Sequence, residues 1–272
     1  MVGVVEEVGS DEKHLSVGDQ VAALLVHGGN GEYLLRPAAK FVRVPNDLDD
    51  AKTVALILNY VTAYQMIHRY AKLSSDQTVL VTSASGGVGL ALLELLQLMG
   101  VKAYAACSEK KFESVRKYGA IPILDSRSGV NVDKTLRKLV PNGVDVSFDG
   151  IGGVRFWECV AATKRGGHVI GFGFMGTIDP VTGNVSSFES IRGIVGTLTC
   201  KFWGVKGDFY GITADYRKNP KPFEEDLLKL CDLLKEGKID PIIAARLEFF
   251  ETKKAQEMLE KGGLTGKIVL VA

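Results

Sequence analysis

Read for hydrophobic periodicity, the chain changes character near Thr78. Before that point, short apolar runs bounded by turn residues predict strands over Val2–Val8, Val21–Val26, Glu32–Leu35 and Phe41–Val44, with a loop at Gly28-Gly29-Asn30-Gly31. Apolar residues at helical spacing then predict helices over Asp50–Asn59 and Thr62–Tyr70.

From Thr78 onward, strands and helices alternate. Strands are predicted at Thr78–Ser83, Lys102–Cys107, Ile121–Leu124, Val144–Phe148, His168–Gly173 and Ile194–Leu198. The helices between them are Gly87–Met99, Lys111–Tyr118, Val132–Leu139, Val154–Thr163 and Ser187–Arg192. The strands are apolar at successive positions, as a sheet covered on both faces requires. Six such strands with crossover helices predict an α/β fold, a doubly wound parallel sheet of Rossmann type. Beyond Leu198 lies a glycine- and aromatic-rich stretch, Lys201–Asn219, read either as a lid or pocket wall or as a surface excursion packed by its own aromatics. A helix over Phe223–Lys235, a strand over Arg246–Phe250, a helix over Lys253–Lys261 and a strand over Lys267–Val271 close the chain.

Composition narrows the function classes. With 272 residues there is room for two lobes, and a net charge of +1 offers no bulk attraction for nucleic acid or an anionic membrane. No stretch approaches the roughly 20 apolar residues of a membrane span. Cys107, Cys159, Cys200 and Cys231 are widely spaced, which argues against a disulfide framework and a thiolate zinc cluster and points to a reducing, cytoplasmic setting.

The candidate chemistry lies in Thr78-Val79-Leu80-Val81-Thr82-Ser83-Ala84-Ser85-Gly86-Gly87-Val88-Gly89, a strand, a glycine turn and a helix start. It fits the pattern G-x-G-x-x-G, with Ala84 at the first glycine position. Gly86 allows backbone to approach a pyrophosphate, Gly89 allows the helix to pack on the strand, and the helix N-terminus presents N–H groups to an anion. Preceded by a strand and followed by further strand–helix units, the motif predicts dinucleotide binding. An acid at the tip of the second strand would hold the ribose 2′-hydroxyl of NAD, but this tip reads Ala105-Ala106-Cys107-Ser108. Ser108, Lys111 and Arg127 can instead supply a hydroxyl and positive charge to a 2′-phosphate, which favours NADPH. The alternative for Lys111 is a solvated helix lysine. Asp149-Gly150, ending the fourth strand, reads equally as a turn cap or as a neighbour of the cofactor.

Ala84-Ser85-Gly86-Gly87-Val88-Gly89 resembles the nucleotide loop of the medium-chain dehydrogenase/reductases, in particular their zeta-crystallin-like quinone oxidoreductase branch. Further matches follow in order: Gly3-Val4-Val5-Glu6-Glu7-Val8-Gly9, Val17-Gly18-Asp19-Gln20-Val21, Gly31-Glu32-Tyr33, Tyr60-Val61-Thr62-Ala63-Tyr64, Gly119-Ala120, Gly166-Gly167-His168-Val169 and Gly266-Lys267-Ile268-Val269-Leu270. The resemblance implies a smaller GroES-like β domain over 1–56, an NADP-binding Rossmann domain over 57–238, and a segment 239–272 returning to the first. It also implies that roughly 60 residues of the GroES-like domain normally precede Gly3. On that expectation, an alternative to an active enzyme is a protein that binds NADPH without turnover.

By the same resemblance, Ser85, Gly86, Gly87 and Val88 meet the pyrophosphate. Thr62 contacts the nicotinamide end, and Gly171-Phe172-Gly173 places backbone groups beside the carboxamide and ribose. Tyr60 and Tyr64 fall near the presumed crevice, with packing as their favoured role and a hydrogen bond from one of them to an acceptor oxygen as the alternative. Zinc-dependent relatives carry a cysteine four residues before the position of Thr62, and Leu58 stands there, so no metal is expected. The implied reaction is hydride transfer to a quinone, or alternatively to an enone or alkenal of prostaglandin type, with no acid or base identified. A homodimer is implied, joined through the edge expected at Ile194–Leu198.

Overall fold

The computed structural model describes residues 1–25, 27–125, 129–173 and 195–272. The predicted helix Ser187–Arg192, Ile194 and Arg127 lie outside the described residues. The chain divides into two compact units, Met1–Thr62 with Ile212–Ala272, and Ala63–Gly211.

In the first unit, β1 (Val2–Val4), β2 (Gln20–Ala22) and β3 (Val42–Arg43) form a small antiparallel sheet in that order. The strand expected at Glu32–Leu35 is irregular chain. Tyr33 is 77% and Leu35 91% exposed, so the apolar residues that suggested a strand have no face to bury. The two helices expected on either side of residue 60 form one helical run, 50–71. It starts where Asp49 accepts the Lys52 N–H (2.9 Å), passes through π turns at Leu56–Tyr60 and Met66–Ala71, and ends at Lys72 in the left-handed region. The boundary between the units falls within this run.

The second unit holds the parallel sheet: β4 (Thr78–Val81), β5 (Lys102–Cys107), β6 (Ile121–Leu124), β7 (Val144–Asp149), β8 (Thr163–Gly171) and β9 (Lys206–Phe209). Its order is β6-β5-β4-β7-β8-β9 and every pairing is parallel. Helices Gly87–Leu98, Phe112–Arg116, Val132–Leu139 and Val154–Ala162 supply the crossovers. Leu80, Tyr104, Ile123, Leu136, Phe156 and Val169 lie in one buried core, as the apolar strands demanded.

The sixth strand corrects the sequence reading. Residues 195–199 are helical, and among the described residues the edge of the sheet is β9, inside the stretch expected to be irregular. The 3-10 turn Cys200–Trp203 leads into that stretch, which also contains the helix Ile212–Lys218. Lys206 and Asp208 hide β9 from any hydrophobic pattern. It is a strand because it pairs with β8, and His168 Nε2 lies 2.8 Å from Asp208 Oδ2 across that pair.

Back in the first unit, β10 (Ile243–Glu248) and β11 (Lys267–Val271) pair in parallel. The helix Lys221–Lys235 belongs to this unit. The Lys235–Asp47 ion pair (2.7 Å) and the edge-on Tyr216–Phe223 contact fasten it there.

Candidate nucleotide-binding site

The strand order reverses between β4 and β7, so the carboxyl ends of these two strands flank the crevice in which open α/β sheets bind ligands. The glycine turn lies at that point. Ser83 takes a left-handed conformation (φ 51), Gly86 N–H donates back to Ser83 O (2.9 Å), and Gly86 caps the helix Gly87–Leu98 from extended backbone. The first bond of the helical ladder at this end runs from Leu90 N–H to Gly86 O (2.9 Å). The amides of Gly87, Val88 and Gly89 therefore stand ahead of the ladder, at the positive end of the helix dipole. The Gly86 amide is spent inside the turn, a detail the motif could not convey.

Gly89 is required by packing. A Cβ there would lie 2.6 Å from Ala84 O and closer still to Ser83 O, so only glycine lets the helix sit against its own turn.

The tips of β7 and β8 meet this turn. A Cβ on Gly150 would stand 3.1 Å from Ser83 Cβ and 2.8 Å from the Phe172 ring, and one on Gly173 would collide with the Gly150 carbonyl. Ser85, Gly86, Gly87, Val88, Phe172 and Gly173 thus share one end of the sheet. Ser108 and Lys111 bracket a 3-10 turn directly after β5, with Lys111 N–H donating to Ser108 O (2.9 Å) and the Lys111 side chain partly buried. Thr62 is buried and belongs to the first unit.

Asp149 is a turn organiser. Its carboxylate accepts the Thr82 hydroxyl (2.9 Å) and the N–H groups of Ile151 (3.0 Å) and Gly152 (3.0 Å), while Gly150 N–H donates to Thr82 Oγ1 (3.0 Å). Burial pushes its pKa up against the pull of these bonds. The sequence left this residue between two roles, and its bonds are those of the turn cap. Thr82 completes the network and was missed, because one threonine at a strand end carries no distinguishing signal. Of the two tyrosines expected to pack, Tyr60 is buried and Tyr64 lies tilted at 45° against His68, with ring centroids 4.2 Å apart.

A recess of about 480 Å³ lined by Lys72, Asp145, Lys164, His168 and Lys206 opens at the amino-terminal ends of the strands, opposite the glycine turn. No group of three or more metal-capable side chains is present among the described residues. Among them, no helix is long and apolar enough to cross a membrane.

Sheet order, switch point and glycine turn together define a Rossmann-type α/β domain. Residues 87–212 match the sequence profile of the zinc-binding dehydrogenase family. The chain is 29% identical over 272 residues to a quinone oxidoreductase-like protein 2 homolog of Nematostella vectensis, covering 98% of this chain and 71% of the relative. It is 26% identical over 274 residues to the quinone oxidoreductase of Homo sapiens, covering 100% and 78%. A quinone oxidoreductase structure from Pseudomonas syringae superposes with a TM-score of 0.82 at 23% identity, covering 100% of this chain and 80% of that one. These matches support a place for the chain in the medium-chain dehydrogenase/reductase superfamily, in its quinone oxidoreductase-like branch, and it is an oxidoreductase.

Proposed function

We propose that this protein binds NADPH at the β4–β7 crevice and reduces a quinone or related electron-poor acceptor without zinc. The observation that carries the reading is the glycine turn. Three helix-terminal amides, Gly87 to Gly89, stand at the switch point of a parallel sheet, beside a second strand whose tip carries Ser108 and is followed by Lys111 in place of an acid.

The residues present suit such a ligand. A diphosphate needs N–H donors and close backbone approach, and the helix start with Gly86 before it offers both. Ser108 and Lys111 hold the 2′-phosphate, with Arg127 as a further cation. Phe172 and Gly173 confine the nicotinamide end, and Thr62 contacts it. When bound, NADPH supplies the hydride, and the protein's part is to orient the ring against the acceptor and exclude water. A conjugated acceptor takes a hydride without a Lewis acid, consistent with the aliphatic Leu58 where zinc-dependent relatives carry a ligand. We propose a homodimer as the working form.

Titration of Lys111→Ala tests the cofactor. A charge-assisted contact contributes roughly 1.5–3 kcal/mol, so NADPH affinity should fall by about 10- to 100-fold while NADH binding stays the same. Equal loss for both cofactors contradicts a 2′-phosphate role. Steady-state rates with quinones and with alkenals then name the acceptor; turnover of alkenals alone would replace the quinone reading with the enone one.

A further inference from the structure

Tyr210 follows β9 immediately and is 2% exposed. Its hydroxyl donates to Oε1 of Gln65 at 2.8 Å, and Gln65 is itself 4% exposed. Its ring stands edge-on to Tyr70, with centroids 5.2 Å apart at 86°. Gln65 and Tyr70 both lie on the helical run 50–71. At its other end, Tyr210 N–H donates to Gly171 O (2.8 Å), and Phe172 N–H donates to Asp149 O (2.8 Å). One buried residue thus links the carboxyl end of β8 at Gly171, through its backbone N–H, to a helix, through its side-chain hydroxyl. Nothing in the glycine motif requires this. A phenylalanine would fill the same volume, so the hydroxyl is there for its bond.

From this geometry we infer that Tyr210 and Gln65 are positioning residues for the nicotinamide-facing end of β8, an inference that rests on the cofactor reading above. Tyr210 holds the Gly171 carbonyl directly, and the Gln65 bond prevents the tyrosine from moving with the strand tip. Hydride transfer depends on donor and acceptor standing within a few tenths of an ångström of their reactive separation. Loosening the bond therefore acts on the nicotinamide half of the cofactor and on the rate of its reaction. The adenosine half is held elsewhere, at β4 and β5.

The test compares two probes, NADPH and 2′-phospho-ADP-ribose, which lacks only the nicotinamide. Their dissociation constants are measured on the wild type, Tyr210→Phe, Gln65→Met and the double variant, together with kcat and KM for the acceptor. Losing one neutral buried hydrogen bond should weaken NADPH about fivefold in each single variant. 2′-Phospho-ADP-ribose should bind within about twofold of wild type, kcat should fall more than the acceptor KM rises, and the double variant should match the singles.

Equal weakening of both probes overturns the inference, because it marks a general loss of structure. Unchanged NADPH binding and kcat in the single variants overturn it as well. If Tyr210→Phe does not fold, Gln65→Met reads the same bond from its other end. A wild-type chain that binds neither probe refutes the cofactor reading itself, an outcome distinct from wild-type binding that the variants leave untouched.

Discussion

At the scale of the residue, the glycine turn is decided by contacts that a single methyl group would break. Gly89→Ala places a Cβ 2.6 Å from Ala84 O and nearer to Ser83 O, backbone atoms that cannot step aside. Alanine gains up to about 1 kcal/mol of helix propensity over glycine, which offsets only part of an overpacking cost of about 1–3 kcal/mol. The variant should unfold at lower denaturant and bind NADPH more weakly. A midpoint equal to or above that of the wild type would show that the turn opens at little cost. The motif was legible because its chemistry is local: strand, turn and helix are adjacent in sequence. Thr82 and Asp149 were not legible as a pair, since they lie 67 residues apart and meet only because β4 and β7 are neighbours.

At the scale of the element, β9 is the instructive case. The apolar residues before it looked like a strand and fold as a helix, while Lys206-Gly207-Asp208-Phe209 looked like a loop and closes the sheet. A short, charged edge strand resists pairing with other chains, so its polarity is what its position asks for. His168 should make this edge sensitive to acid. Burial, followed by the Lys206 ammonium, pulls its pKa below the ordinary value, and Asp208 pulls it the other way.

The folded state therefore takes up its proton at lower pH than the unfolded chain. Stability from this group is complete above the unfolded value near 6.5 and is lost as pH falls below it. Lowering the pH from about 7 to about 5 should speed amide exchange at Gly207, Asp208 and Phe209 beyond the change seen in β4, after correction for intrinsic rates. His168→Gln should abolish the excess. Equal responses of β9 and β4 in the wild type would clear His168 of the effect.

At the scale of the whole molecule, the prediction concerns assembly. The expectation of a homodimer began from an apolar edge at Ile194–Leu198, and among the described residues the edge is β9 instead. In the same unit Phe202 and Trp203 are 76% and 54% exposed. Exposed aromatics close together on a surface favour association. Sedimentation at micromolar concentration should show a dimer, and Trp203→Asp should shift it toward monomer. A wild type that sediments only as monomer refutes the dimer.

The sequence by itself determined the strand–helix alternation of the sheet, the glycine turn and the family. These depend on periodicity and on residues close together along the chain. Only the tertiary structure decided which segment forms the sixth strand, that Asp149 serves its own turn, and that Tyr210 reaches Gln65 across 145 residues. A charged strand is recognised by its hydrogen-bonded neighbour and a buried hydroxyl by its distant acceptor, and neither partner is visible until the sheet has brought it into place.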